Sequence, residues 1–166
     1  FYSEGKNIID WVYPTSERRK YQAMNIGKLD NMGYSADVTL NMDELVTGSF
    51  ITRIKAGYAF IHQKHETDRE IFGSLYALEY LRHKATFQLD HRIWSRLSAS
   101  WAVRWQQRMN NYSPYTKVDV KLMWTAPSYS LYVKADNITC HRYYDLGAVR
   151  QPGLWIMAGG SVRIGL

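Results

Sequence analysis

The side chains best suited to proton transfer or metal ligation are five histidines, His62, His65, His83, His91 and His141, and only His62-x-x-His65 brings two of them close in sequence. No cysteine or third ligand is spaced with that pair, so the pattern does not make a zinc site. Cys140 is the single cysteine. It excludes an internal disulfide and, without a partner motif, reads as a bystander. Serine, histidine and aspartate are all present, yet neither a nucleophile elbow nor a glycine-rich phosphate loop appears. No residue is assigned to catalysis, and neither an enzyme nor a cofactor is expected. What remains is clustered positive charge: Arg18, Arg19 and Lys20; Lys64, His65 and Arg69; and His141, Arg142 and Arg150. Such groups can meet the phosphate or carboxylate of an anionic ligand, or the phosphates of lipopolysaccharide. They are equally what ordinary solvated loops carry.

These clusters fall between segments of a different character. Val118, Val120, Leu122 and Trp124 alternate with Lys117, Asp119, Lys121 and Met123. Leu131, Val133 and Ala135 alternate with Tyr132, Lys134 and Asp136, and the same two-residue period runs from Leu154 to Leu166. Successive strand side chains point to opposite faces, so the pattern makes sheet with one apolar and one polar face. Leu97, Ala99, Trp101, Val103 and Trp105 against Ser98, Ser100, Ala102, Arg104 and Gln106 is the cleanest case. Further strands are expected over Asn7–Tyr13, over Tyr21–Met42 with an interruption near Asp30–Gly33, over Ile51–Gln63 and over Leu75–Asp90. His62–Arg69 reads as a long solvated loop. That gives about eight strands in one all-β domain covering residues 1–166, with no linker to a second. Connections near 43–49, 92–95 and 126–128 are short. Those near 14–20, 62–74, 107–114 and 140–153 are longer or more charged, and the two kinds alternate as in an up-and-down meander.

Net charge is +6 and aromatics make up 14% of the chain. Positive charge suits nucleic acid or an anionic membrane surface, but strict separation of the faces argues against a single-strand nucleic-acid groove. No apolar run reaches the ~20 residues of a spanning helix. Mean hydropathy is negative, which is also what a membrane β-barrel shows, because it needs apolar residues only at alternate positions. Phe1-Tyr2-Ser3-Glu4 has neither the basic nor the apolar region of a secretory signal, so the sequence reads as a mature chain or a piece of a longer one.

The apolar face could line the inside of a soluble lipocalin-like barrel or face lipid outside a membrane barrel. Three features favour lipid. Small and charged residues share the polar face, as around a wet lumen. Aromatics (Trp11, Tyr13, Trp94, Tyr112, Tyr115, Trp124, Tyr129, Tyr143, Tyr144, Trp155) cluster near strand ends, as interfacial girdles do. The strands, at about 10–13 residues, are long enough to cross a bilayer at a tilt.

Asp136-Asn137-Ile138-Thr139 followed by Arg142-Tyr143-Tyr144-Asp145 resembles the penultimate-strand pattern of TonB-dependent outer-membrane receptors of the vitamin B12 and siderophore type. Gln151-Pro152-Gly153-Leu154-Trp155 is similar to the Pro-Gly-Arg approach to that family's last strand. Asn25-Ile26-Gly27 with Gly33, and the run Leu75 to Lys84, also resemble it. Two positions depart: Ser35 or Ala36 stands where an acidic residue usually follows the glycine, and Leu166 replaces a terminal aromatic. The resemblance implies an antiparallel transmembrane barrel portion, about the last eight of 22 strands, in the bacterial outer membrane. It implies a transport function, uptake of a scarce nutrient such as a metal chelate or vitamin B12. The plug domain and TonB box are absent from this sequence, so TonB would be reached only through them. Partners would be outer-membrane lipid and the rest of the receptor, not nucleic acid. Arg18, Arg19, Lys20, Lys64, His65, Arg69, Arg142 and Arg150 would lie on loops at the external end. A self-closed small barrel with a structural or adhesive role and a soluble ligand-binding barrel stand as alternatives.

Overall fold

In the computed structural model the described residues are 1–13, 21–67, 71, 73–74, 80–109, 113–145 and 149–164. They form two antiparallel sheets and one helical turn, α1 (Met42–Leu45), so the chain is all-β. Among the described residues no helix is long and apolar enough to cross a membrane, a fact that leaves strands out of account.

The main sheet has eight strands: β1 (Tyr2–Gly5), β4 (Lys28–Asn41), β5 (Ile51–Glu66), β7 (Leu81–Arg92), β8 (Leu97–Arg108), β9 (Tyr115–Thr125), β10 (Tyr129–Asp136) and β11 (Trp155–Val162). Their spatial order follows the chain, β1-β4-β5-β7-β8-β9-β10-β11. The order is linear, so among the described residues the sheet is open, with β1 and β11 at its edges. The second sheet, β2 (Ile9–Tyr13), β3 (Gln22–Asn25) and β6 (Gly73–Ser74) in the order β3-β2-β6, is built from the β1–β4 and β5–β7 connections.

Several boundaries differ from the sequence expectation for physical reasons. Asn7–Tyr13 supplies only β2 of the side sheet, and its place at the edge of the main sheet is taken by Tyr2–Gly5, which pairs with Leu29–Met32. Tyr21–Met42 breaks not at Asp30–Gly33 but at Gly27, whose φ of 86° turns the chain. A Cβ at Gly27 would also overlap the Glu66 carbonyl, so only glycine fits there. His62–Glu66 is not loop: β5 runs through it, paired with Lys28–Met32. Of Leu75–Asp90, residues 75–79 lie outside the described set and the strand is Leu81–Arg92. The last strand is Trp155–Val162 rather than Leu154–Leu166.

The connections alternate between the two ends of the sheet as the sequence suggests: those joining β4 to β5, β7 to β8 and β9 to β10 lie at one end, and those joining β1 to β4, β5 to β7, β8 to β9 and β10 to β11 at the other. Their lengths follow only in part, since the β4–β5 connection, which holds α1, runs from 42 to 50 and is longer than the β8–β9 connection from 109 to 114.

Register sorts side chains across the sheet. Leu40–Ile54–Leu89–Trp101–Val120–Ala135–Ile156 is one cross-strand row on the apolar face. That face is not covered: Val38, Phe87, Leu122, Leu131, Val133 and Ile156 are all exposed. A soluble sheet of this size would bury such a face against a second layer. The compact apolar cluster lies elsewhere, where Val12, Ile26 and Leu29 join the side sheet to β4.

Candidate functional site

The polar face begins from the same register. Asp37, Gly57, Thr86, Arg104 and Lys117 form one row across five strands. Thr39, Lys55, Gln88, Ala102 and Asp119 form the next, nearer the short-turn end. Together they line a groove of about 510 Å³. Gly57 is the notch in it: a Cβ there would overlap Asp37 Oδ1 and meet Thr86 Oγ1 at 2.9 Å. Opposite charges tie the face together. Lys117 lies 3.3 Å from Asp119, Arg53 2.6 Å from Asp90 and Lys134 2.9 Å from Asp136. Lys121 Nζ sits 4.8 Å from the Tyr132 ring centroid, and Gly159 leaves the space that ring occupies.

At the long-connection end the polar face is capped by the segment between β10 and β11. Asn137 holds it. Its φ of 54° is left-handed, a conformation asparagine tolerates better than most residues. Its backbone N–H donates to Asp119 Oδ1 at 2.7 Å, and its side-chain amide donates to the carbonyls of His141 (2.9 Å) and Pro152 (3.3 Å). Its Oδ1 accepts from the Thr139 hydroxyl and the His141 N–H, each at 3.1 Å. The side chain is buried, and these bonds satisfy it.

The chain then folds Tyr143 onto Tyr115, ring centroids 4.4 Å apart, both rings buried. Asp145 Oδ1 accepts from the Tyr115 hydroxyl at 2.6 Å and from the buried Gln106 amide at 2.8 Å. Burial pushes the Asp145 carboxyl up, but those two donors and the charges of Arg104 and Arg108 outweigh it and hold the group below the usual carboxylate range. Above the tyrosine pair is a cavity of about 220 Å³ with Arg108, Ser113, His141 and Arg142 in its wall.

The residues singled out by sequence are scattered. Arg18, Arg19, Lys20 and Arg69 lie outside the described residues. Lys64 and His65 belong to strand β5 rather than to a loop. His62 and His65 project from opposite faces, three apart on a strand, so they cannot share a metal. His65 Nε2 contacts the Ile26 carbonyl at 2.7 Å, and Lys64 pairs with Glu66 at 2.5 Å. Arg150 is exposed and bridges to Tyr144 through the backbone. Among the described members of the set, only Arg142 reaches the cavity.

Some aromatics expected at strand ends take other roles. Tyr115 and Tyr143 are buried against each other, and Trp11 and Tyr13 sit in the side sheet. Tyr112 lies outside the described residues. On the apolar face the ring belt is instead Tyr34, Phe60, Tyr58, His83 and Trp105, with neighbouring centroids 5.0–6.2 Å apart. Tyr58 Oη lies 2.7 Å from His83 Nδ1. Trp94, Trp124 and Tyr129 stand at the opposite, short-turn end. Arg108, Gln106 and Asp145 carried no individual signal in the sequence, because only the folded β10–β11 connection brings them together.

Neither a family model, nor a curated protein, nor a solved structure matches the chain.

Proposed function

We propose that the chain is part of the wall of a bacterial outer-membrane β-barrel. Its parent is proposed to be a TonB-dependent receptor that takes up a scarce nutrient such as a metal chelate or vitamin B12. One observation carries the membrane reading. The apolar face stays exposed between two sets of aromatic rings, while the polar face carries ion-paired charge. From Leu97 to Trp105 that face spans nine residues, ~26 Å along the strand and ~20 Å after the usual barrel tilt, close to the apolar band of such barrels. Within this band on β4, β5 and β7–β11 the face carries no Asp, Glu, Lys or Arg. Beyond the upper rings the same face turns charged at once, with Lys28 3.0 Å from Asp30 and 3.5 Å from Glu4.

The edges favour a portion of a larger barrel over a small self-closed one. β1 covers only Leu29–Met32 of β4, and the Gly33 N–H is met by Phe1, so among the described residues no strand pairs with the side of β4 facing away from β5 between Tyr34 and Asn41. Four residues of β1 cannot close a seam against eight residues of β11. Unpaired backbone is excluded from hydrocarbon, so further strands would complete the wall. The motif resemblance at Asp136–Asp145 and Gln151–Trp155 supplies the receptor part of the reading.

Expression of the chain, followed by circular dichroism and size analysis with and without detergent, tests the membrane reading. A β-rich, monodisperse state is expected only in detergent or bilayer. A β-rich monodisperse species in plain buffer would defeat it and leave the soluble binding barrel.

A further inference from the structure

At the short-turn end of the polar face, the β9–β10 turn and the end of β11 enclose a groove of about 460 Å³ that the transport reading does not use. Its volume lies within the ~300–1,000 Å³ common for small-molecule sites. Four hydroxyls line it, from Thr125, Ser128, Ser130 and Ser161, together with one guanidinium, from Arg163. Register explains the hydroxyls. Thr125 stands opposite Ser130, and Ser130 opposite Ser161, so three of them make one row across β9, β10 and β11. Backbone bonds hold the other two groups beside that row. The Arg163 N–H donates to the Ser128 carbonyl at 2.8 Å, and the turn carrying Ser128 is closed by the Ala126 N–H on the Tyr129 carbonyl, also at 2.8 Å.

These groups are open. Thr125, Ser128, Ser161 and Arg163 are all exposed. Ser130 Oγ and Ser161 Oγ lie 2.8 Å apart, so one hydroxyl donates to the other and the second keeps its hydrogen for the groove. Among the described residues no carboxylate pairs with Arg163, and none lines the groove. Further up the same face, Lys121 and Lys134 stand opposite each other, and the one carboxylate beside them, Asp136, is already held by Lys134 at 2.9 Å. The field over the groove is therefore positive. Hydroxyls alone would suit a neutral sugar, but an unpaired guanidinium with no acid in the wall selects an anion. Phosphate, an acceptor with more oxygens than a carboxylate, matches several hydroxyl donors together with the two-donor edge of arginine.

We propose that this groove binds a phosphate group, its oxygens on the Arg163 guanidinium and on the hydroxyls of Thr125, Ser128 and the Ser130–Ser161 pair. Two sources share that chemistry: phosphate in solution, and the headgroup of an anionic phospholipid at the rim of the sheet. The site goes beyond the transport reading and stands whether or not the parent is a receptor.

The test is equilibrium dialysis of the whole chain against isotopically labelled inorganic phosphate, with far-UV circular dichroism on every sample. The chain is used in the medium in which it is β-rich and monodisperse. On the membrane reading that medium is detergent micelles; if the reading fails, the same dialysis is run in plain buffer. Saturable binding of phosphate is expected, with acetate a weaker competitor by about tenfold or more. Arg163→Gln is expected to weaken phosphate by about tenfold, and Arg163→Lys by less, because it keeps the charge and loses the two-donor geometry. Ser128→Ala is expected to weaken it by about threefold. Lys6→Gln removes the same charge at the far end of the sheet and is expected to leave binding unchanged. Displacement of the label by short-chain phosphatidylglycerol assigns the site to a lipid headgroup, and failure to displace it assigns the site to phosphate in solution. Absence of saturable phosphate binding by the folded chain would overturn the site. So would wild-type affinity in Arg163→Gln, equal competition by acetate, or a loss in Lys6→Gln as large as that in Arg163→Gln.

Discussion

Asn137 and Asp145 act on the same connection through different physics. Asn137 combines a left-handed backbone with a buried amide that uses both donors and its acceptor. Asn137→Ala strands the His141 and Pro152 carbonyls and loses the conformational preference, at a cost of about 1–3 kcal/mol. The expected outcome is faster proteolysis between β10 and β11 with the strands themselves intact. Asp145 is a charge anchor. Its carboxyl is depressed in the fold, so the stabilisation is fully present above the ordinary carboxylate pKa of ~3.9 and is lost as pH falls through the lower folded value. Near-UV dichroism from the Tyr115–Tyr143 pair should therefore hold from neutral pH to about pH 4 and collapse below it. Asp145→Asn should flatten that acid step.

At the scale of the element, the two glycines of the central strands are not equivalent. A Cβ at Gly33 would stand 2.5 Å from the Phe60 carbonyl and 2.9 Å from the Phe1 ring, and the carbonyl is backbone that cannot yield. At Gly57 the obstacles are the tip of Asp37 and the Thr86 hydroxyl, which can rotate away. Gly33→Ala is expected to lower stability by about 1–3 kcal/mol and Gly57→Ala by under about 1 kcal/mol, read by urea titration of the refolded chain. The central strands were legible because each shows two faces: Leu97 to Trp105 cannot be arranged otherwise. β1 was not, since Tyr2–Gly5 has four residues and no alternation, and only its pairing with Leu29–Met32 defines it. The upper part of β5 was hidden by its own chemistry. His62, Lys64 and Glu66 sit on the face that carries Tyr58 and Phe60 lower down, so a strand passing out of its apolar band looks like a solvated loop. The Tyr115–Tyr143–Asp145 cluster was illegible for a third reason: it joins residues 28 and 30 positions apart through a connection with no periodicity.

For the whole molecule, the test of orientation is a pair of charges placed on opposite faces. Val120 lies in the middle of the apolar row, opposite Trp101. Ala102 lies on the polar face beside Asp119 and Gln88. If lipid meets the first face and water the second, Val120→Arg should destabilise the bilayer-folded state by about 2–4 kcal/mol. Ala102→Arg should be nearly neutral, being next to a carboxylate. Equal effects, or the reverse order, in refolding titrations into vesicles would contradict the proposed orientation. The same sheet explains why an all-β reading was available from composition and pattern while closure was not. Alternation specifies faces locally, whereas a wall is completed by whichever backbone lies beside its margins.

Those margins have a consequence for handling the protein in water. Among the described residues no strand pairs with the outer side of β4 from Tyr34 to Asn41 or with the far side of β11, and the side chains around these margins include Tyr34, Val38, Leu40, Ile156 and Val162. Flat, greasy margins of this kind template pairing with identical copies. Away from lipid, the chain should grow by stacking one molecule's rim on the next, giving thioflavin-positive fibrils in place of amorphous precipitate.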